Sequence, residues 1–285
     1  AWILASTCIA VPLLGVLAAG LMYARGADLP TSGTPDLMEL LGAGSLAGLT
    51  ALQFAVMLIP AVILAFFLPG PTPSPPAEPV AKRSVFRRLA DAFPLGGSRW
   101  GYVAAAIVLG ATAGALPSWA VERLSELTGW EMSIANVITG IADAPLIARL
   151  GMYAIVGLVA PVVEELIFRG FLWAAIERSA PPWVAWLVTS LLFGAYHLDP
   201  MHVLAVLPLG LVLGWLRWRT GALWAPILFH LVNNALALVL TLWAPDLFTW
   251  IGSAVISAGV AAVVLAAGWA LERSPVARAS ATVTG

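Results

Sequence analysis

Two adjacent carboxylates and an arginine, Glu164-Glu165-Leu166-Ile167-Phe168-Arg169, sit inside an apolar stretch running from about 150 to 176. A carboxylate can take a proton from water, and an arginine can hold a second carboxylate in place. Together these groups suit acid/base chemistry or transport. On insertion scales a charge at mid-bilayer costs roughly 2.5–3.5 kcal/mol, so three unpaired ones would cost about 8–10 kcal/mol. The chain must therefore neutralise them by pairing. Two more polar groups follow in apolar surroundings: Phe193-Gly194-Ala195-Tyr196-His197 and His230-Leu231-Val232-Asn233-Asn234. All three histidines of the chain, His197, His202 and His230, fall in this half.

Helical spacing divides the work. Glu165 and Arg169 are i,i+4 neighbours in the favourable order for an ion pair. Glu164 points about 100° away, so it is free to face the bundle interior as a general acid or base. His230 and Asn234 again share a face at i,i+4. The bland alternatives are an ion-paired structural lock for Glu164, Glu165 and Arg169, and a satisfied core histidine for His197. His202 follows Asp199-Pro200 and reads as interfacial. Asn233 reads as a second donor or as a helix–helix hydrogen bond.

The elements that must carry these residues are membrane helices. The chain has 285 residues, 61% hydrophobic and 10% charged, where a soluble globular protein has about a quarter charged. A helix needs about 20 apolar residues to cross the hydrocarbon core. Charge-poor runs at 1–24, 40–68, 100–121, 150–176, 179–198, 200–216, 220–245 and 247–271 supply about eight. The expected fold is thus all-α, a polytopic membrane helix bundle with an intramembrane polar site. The first run lacks a basic leader region and reads as a retained helix. Two parts are expected: 1–99, with two helices and a Pro-rich basic linker (Pro69 to Pro76, then Lys82, Arg83, Arg87 and Arg88), and 100–285, with the remaining helices and the polar core at about 150–240. The linker's basic part, 81–93, reads as an interfacial amphipathic helix or as a solvated loop. The positive-inside rule puts this linker, Arg217, Arg219 and both termini in the cytoplasm. Trp183, Trp186, Trp215, Trp218 and Trp224 read as interfacial anchors, and Gly110 with Gly114 as a close-packing face. A net charge of −1 gives no reason to expect nucleic acid as a partner, and the single cysteine, Cys8, excludes an internal disulfide framework.

Depth brings the polar groups level. The turn between the fourth and fifth runs centres near Ala180, with Glu164 16 residues before it and His197 17 after. At 1.5 Å per residue two antiparallel helices bring both to nearly the same height.

These three groups, Glu164-Glu165-x-x-x-Arg169, Phe193-x-x-x-His197 and His230-x-x-x-Asn234, resemble the pattern of the CPBP family, which includes the CAAX prenyl endopeptidase Rce1 and bacterial Abi proteins. The resemblance covers about 150–240. It implies an intramembrane endopeptidase that cuts a membrane-associated protein or peptide, usually near its C-terminus. By that likeness Glu164 and His197 would activate water, His230 and Asn234 would stabilise the oxyanion, and Glu165 and Arg169 would hold the site together. The family has been described as metal-free and as metal-dependent. No His-Glu-x-x-His zinc signature is present, so no cofactor is expected, although Glu164, His197 and His230 could ligate zinc. An Ala/Trp-rich chain of this kind looks bacterial, which places it in the inner (cytoplasmic) membrane as a multi-pass protein. Two other classes compete. A non-catalytic immunity or binding member would keep the scaffold, and a proton-coupled transporter would use the acids and imidazoles as a relay. The transporter should show matching polar groups in both halves, and the N-terminal half has none.

Overall fold

The computed structural model describes residues 100–130 and 145–243, with 93–95 and the single positions 55, 58 and 59. The expected first, second and eighth runs, most of the basic linker, both termini and hence the count of eight lie outside those residues. Among the described residues every regular element is helical. In chain order they are α1 (Trp100–Thr112), α2 (Ala115–Thr128), α3 (Leu146–Ala154), a π-turn (Ile155–Val159), α4 (Ala160–Glu165), a second π-turn (Leu166–Leu172), α5 (Trp173–Glu177), α6 (Pro182–Tyr196), α7 (Pro200–Thr220) and α8 (Trp224–Trp243). Among the described residues four stretches are long and apolar enough to cross a membrane: Gly101–Thr128, Arg149–Glu177, Pro200–Thr220 and Trp224–Thr241. The architecture is an all-α membrane helix bundle.

Local chemistry sets the helix ends. Pro182 opens α6 at a first-turn position, where its missing N–H costs nothing. Asp199 caps α7, its Oδ1 accepting from the backbone of Met201 at 2.8 Å and His202 at 3.1 Å. Gly221 closes α7 at φ 66°, a conformation that only glycine adopts freely. The expected fifth run departs from a full span. With 15 residues, α6 covers only about 22 Å against a hydrocarbon core of ~30 Å. Its C-terminal end therefore finishes at His197, inside the bundle's polar zone. Leu198, which follows, takes φ 61°, a left-handed conformation costing about 1–2 kcal/mol for a side chain of this kind. The Asp199 cap and the packing of α6 on α7 hold it there.

Small residues bring the helices together. A Cβ on Gly214 would lie 2.6 Å from Trp186 Cδ1, and one on Gly210 would lie 2.9 Å from Phe193 Cδ1, so α6 and α7 touch along that line. Gly110 and Gly114 form a second seam, against α8: a Cβ there would meet the Phe229 carbonyl oxygen at 2.5 Å and Asn233 Oδ1 at 2.7 Å. Trp186 is more than an interfacial anchor, because its Nε1 donates to the Leu211 carbonyl at 2.8 Å and ties α6 to α7. Between the helices lies a core of Leu109, Val163, Ile167, Phe168, Phe193, Leu213 and Phe229. Phe168 and Phe193 meet edge to face at 5.4 Å.

Candidate intramembrane active site

The segment with both glutamates is an α-helix, α4, set between two π-turns, and proline explains the first of these. Ala160 N–H bonds to the Ile155 carbonyl, five residues back. In that register the Val156 carbonyl would next receive residue 161, but Pro161 has no N–H to give. The freed carbonyl accepts from Asn234 Nδ2 at 3.2 Å instead. In the second π-turn the Trp173 N–H bonds to the Gly170 and Phe168 carbonyls and passes over that of Arg169. π-turns widen a helix and release carbonyls, which is why they recur at functional sites. Here they rotate Glu164, Glu165 and Arg169 relative to the helix on either side.

At the centre are four buried charged or ionisable groups: Glu164, Glu165, Arg169 and His230, of which Glu165 and Arg169 are 0% exposed. Arg169 Nη1 donates to Glu165 Oε1 at 2.9 Å, and Nη2 donates to the Gly210 carbonyl at 2.8 Å. The guanidinium lies 4.5 Å from the centre of the Phe193 ring, a cation–π contact. His230 Nδ1 lies 3.0 Å from the same Glu165 Oε1. A carboxylate accepts, so Nδ1 carries the hydrogen and Nε2 faces Glu164 Oε2 at 3.7 Å. That gap exceeds a direct hydrogen bond and suits a bridging water.

The other expected residues lie around this centre. His197 caps α6, and its Nδ1 donates to the Phe193 carbonyl at 2.9 Å, leaving Nε2 with a free lone pair. His197 and His230 both meet the Phe193 ring edge to face, at 5.1 and 5.7 Å. The structure sets His230, rather than His197, nearest to Glu164; among the described residues no hydrogen bond or ion pair joins His197 to that carboxylate. Asn234 Oδ1 accepts from Asn233 Nδ2 at 3.3 Å. With one Nδ2 hydrogen on Val156, Asn234 keeps one to offer. Asn233 also packs on Gly114, so it is both a donor to Asn234 and a helix–helix contact.

One residue assigned to the interface belongs closer in. His202 stands with its ring 4.5 Å from that of His197, because the Asp199 cap folds the first turn of α7 back over the end of α6. The Asp-Pro helix start was the available signal. Among the described residues no three His, Cys, Asp or Glu side chains are grouped to hold a metal ion.

Glu164, His230 and Asn234 thus offer an acid, a held imidazole and an amide N–H on neighbouring helices, groups of the kind that peptide-bond hydrolysis needs. Comparison with known proteins bears on the same segment. Residues 145–236 match the family described as Type II CAAX prenyl endopeptidase Rce1-like. The Rce1-like segment holds every residue of the site. The chain is 32% identical over 91 residues to a Bacillus subtilis (strain 168) protein named "Putative membrane peptidase YdiL", covering 32% of this chain and 37% of that one. It is also 36% identical over 88 residues to an Escherichia coli "Uncharacterized 24.3 kDa protein", covering 29% of this chain and 40% of that one. The chain thus spans about two fifths of the curated relatives it matches. No solved structure matches it.

Proposed function

We propose that this protein is an intramembrane endopeptidase, and that Glu164 is the base for its attacking water. In this reading the water gives a proton to Glu164 with His197 Nε2 as its second acceptor, and the resulting hydroxide adds to the scissile carbonyl. The oxyanion so formed takes the free Asn234 N–H and the Nε2–H of His230, which enters this step as the imidazolium with its Nδ1–H held by Glu165. Glu164 then returns its proton to the departing amine, so one water is consumed and one carboxyl and one amine are released. Glu165 and Arg169 act behind the site, fixing the tautomer and the angle of His230. Catalytic contacts in unliganded sites are often long and tighten around substrate, which accommodates the distance between Glu164 and His197. The reaction as written needs no cofactor.

The observation that carries this reading is the buried Glu165–His230–Glu164 line, with contacts of 3.0 and 3.7 Å. A structural lock would be complete with Glu165 and Arg169 alone. The substrate class proposed is a membrane-associated protein or peptide cut near its C-terminus, in the inner membrane of a bacterium. The test is to compare protein C-termini in membranes with and without the protein, in heavy-oxygen water. A hydrolase leaves new C-termini that carry one heavy oxygen; a transporter or an immunity protein leaves none, and an unchanged set of termini would refute the proposal.

A further inference from the structure

A second buried arginine takes no part in the chemistry described so far. The sequence places Arg217 beside Arg219 at an aqueous turn, yet in the structure its side chain lies inside the bundle, 6% exposed. Its Nε donates to the Arg169 carbonyl at 3.0 Å. Its guanidinium lies 5.2 Å from the centre of the Trp173 ring, and Trp173 is itself buried, with its Nε1 donating to Glu177 Oε2 at 3.1 Å. The carbonyl that Arg217 holds is the one that the Trp173 N–H passes over in the second π-turn. Arg217 therefore supplies a side-chain donor, from a different helix, to the carbonyl of the residue whose side chain orients Glu165.

We propose that Arg217 is a positioning residue for the reaction, holding the second π-turn in register and thereby setting Arg169, Glu165 and His230. The path is continuous: Arg217 Nε to the Arg169 backbone, the Arg169 guanidinium to Glu165, and Glu165 to His230 Nδ1. This role rests on the endopeptidase reading for its effect on rate, but its effect on geometry stands apart from it. An arginine suits the task because one plane can stack on an indole while Nε donates sideways; a lysine has a single terminal nitrogen and cannot do both.

The test uses the full chain in lipid nanodiscs with isotope-labelled histidine. The His230 Nδ1 proton is identified by its loss in His230→Asn, and Glu165→Gln serves as the reference for a broken Glu165–His230 bond. Arg217→Met, which keeps the stacking bulk, and Arg217→Lys, which keeps the charge, are expected to shift or broaden that signal towards the Glu165→Gln state while the thermal transition is retained. Release of heavy-oxygen C-termini is expected to fall roughly tenfold to a hundredfold, in kcat rather than KM. A folded variant of either kind that keeps the wild-type His230 signal and rate would overturn the proposal. If the wild-type protein released no C-termini at all, the endopeptidase reading would fail, and the nuclear resonance comparison alone would still decide the role of Arg217.

Discussion

Glu165 Oε1 receives both Arg169 Nη1 and His230 Nδ1, at 2.9 and 3.0 Å, so removing the carboxylate strands two buried groups. Glu165→Leu alone should cost about 3–5 kcal/mol, the usual penalty for leaving a buried charge unpaired. The double variant Glu165→Leu/Arg169→Leu should recover most of that stability, because a well-packed apolar pair often replaces a buried ion pair at little cost. It should stay inactive, since His230 would have lost its orienting partner. Thermal denaturation in detergent, read beside release of C-termini, checks both halves; an active double variant would reduce Glu165 and Arg169 to a lock. Asn234→Ala removes an oxyanion donor and should lower kcat by about 10²–10³ with little change in KM. A change confined to KM would point instead to substrate binding.

At the scale of elements, Pro161 and Asn234 act as one device: the proline orphans the Val156 carbonyl and the amide occupies it. Pro161→Ala restores an N–H to the helix and should release Asn234, lowering turnover. Because the two residues share one interaction, the double variant Pro161→Ala/Asn234→Ala should lose less than the sum of the singles. Strict additivity would separate the π-turn from the amide. Gly110→Ala should destabilise the bundle by about 1–3 kcal/mol, since its Cβ would meet a backbone oxygen of α8 at 2.5 Å; a wild-type thermal transition would contradict that seam. Much at this scale was legible in sequence. The ion pair followed from i,i+4 spacing, and the Gly110–Gly114 seam from small residues in an apolar helix. The π-turns did not, because one extra residue in a turn leaves no mark on a uniformly apolar pattern. Pro161, standing inside the run, was the only clue. The short α6 was misjudged as a full span because apolar length continues through Leu198, while the helix ends where His197 and the left-handed Leu198 break its register.

At the scale of the whole molecule, the helix connections set the heights of the polar groups without fixing their contacts. Helices joined by tight turns keep residues equidistant from the turn at the same height, and so Glu164 and His197 were expected at one level. Height does not fix rotation. The structure turns Glu164 towards His230 on α8 and sets His197 on the other contact of Phe193, with His202 behind it. Arg217 differs for a related reason: its place near a helix end suggests water, while its contacts with the Arg169 carbonyl and the Trp173 ring lie inside the bundle. At this scale a metal-free reaction is expected to persist in strong chelator, and metal analysis of the purified, active protein should find no stoichiometric zinc; loss of rate in chelator with recovery on adding zinc would contradict that. The most direct test of the central claim is the rate of heavy-oxygen C-terminus release by Glu164→Gln in reconstituted membranes. A loss of about 10²–10⁴ is expected, the range for removing a general base, with an unchanged thermal transition. A folded Glu164→Gln protein that cleaves at the wild-type rate would contradict it.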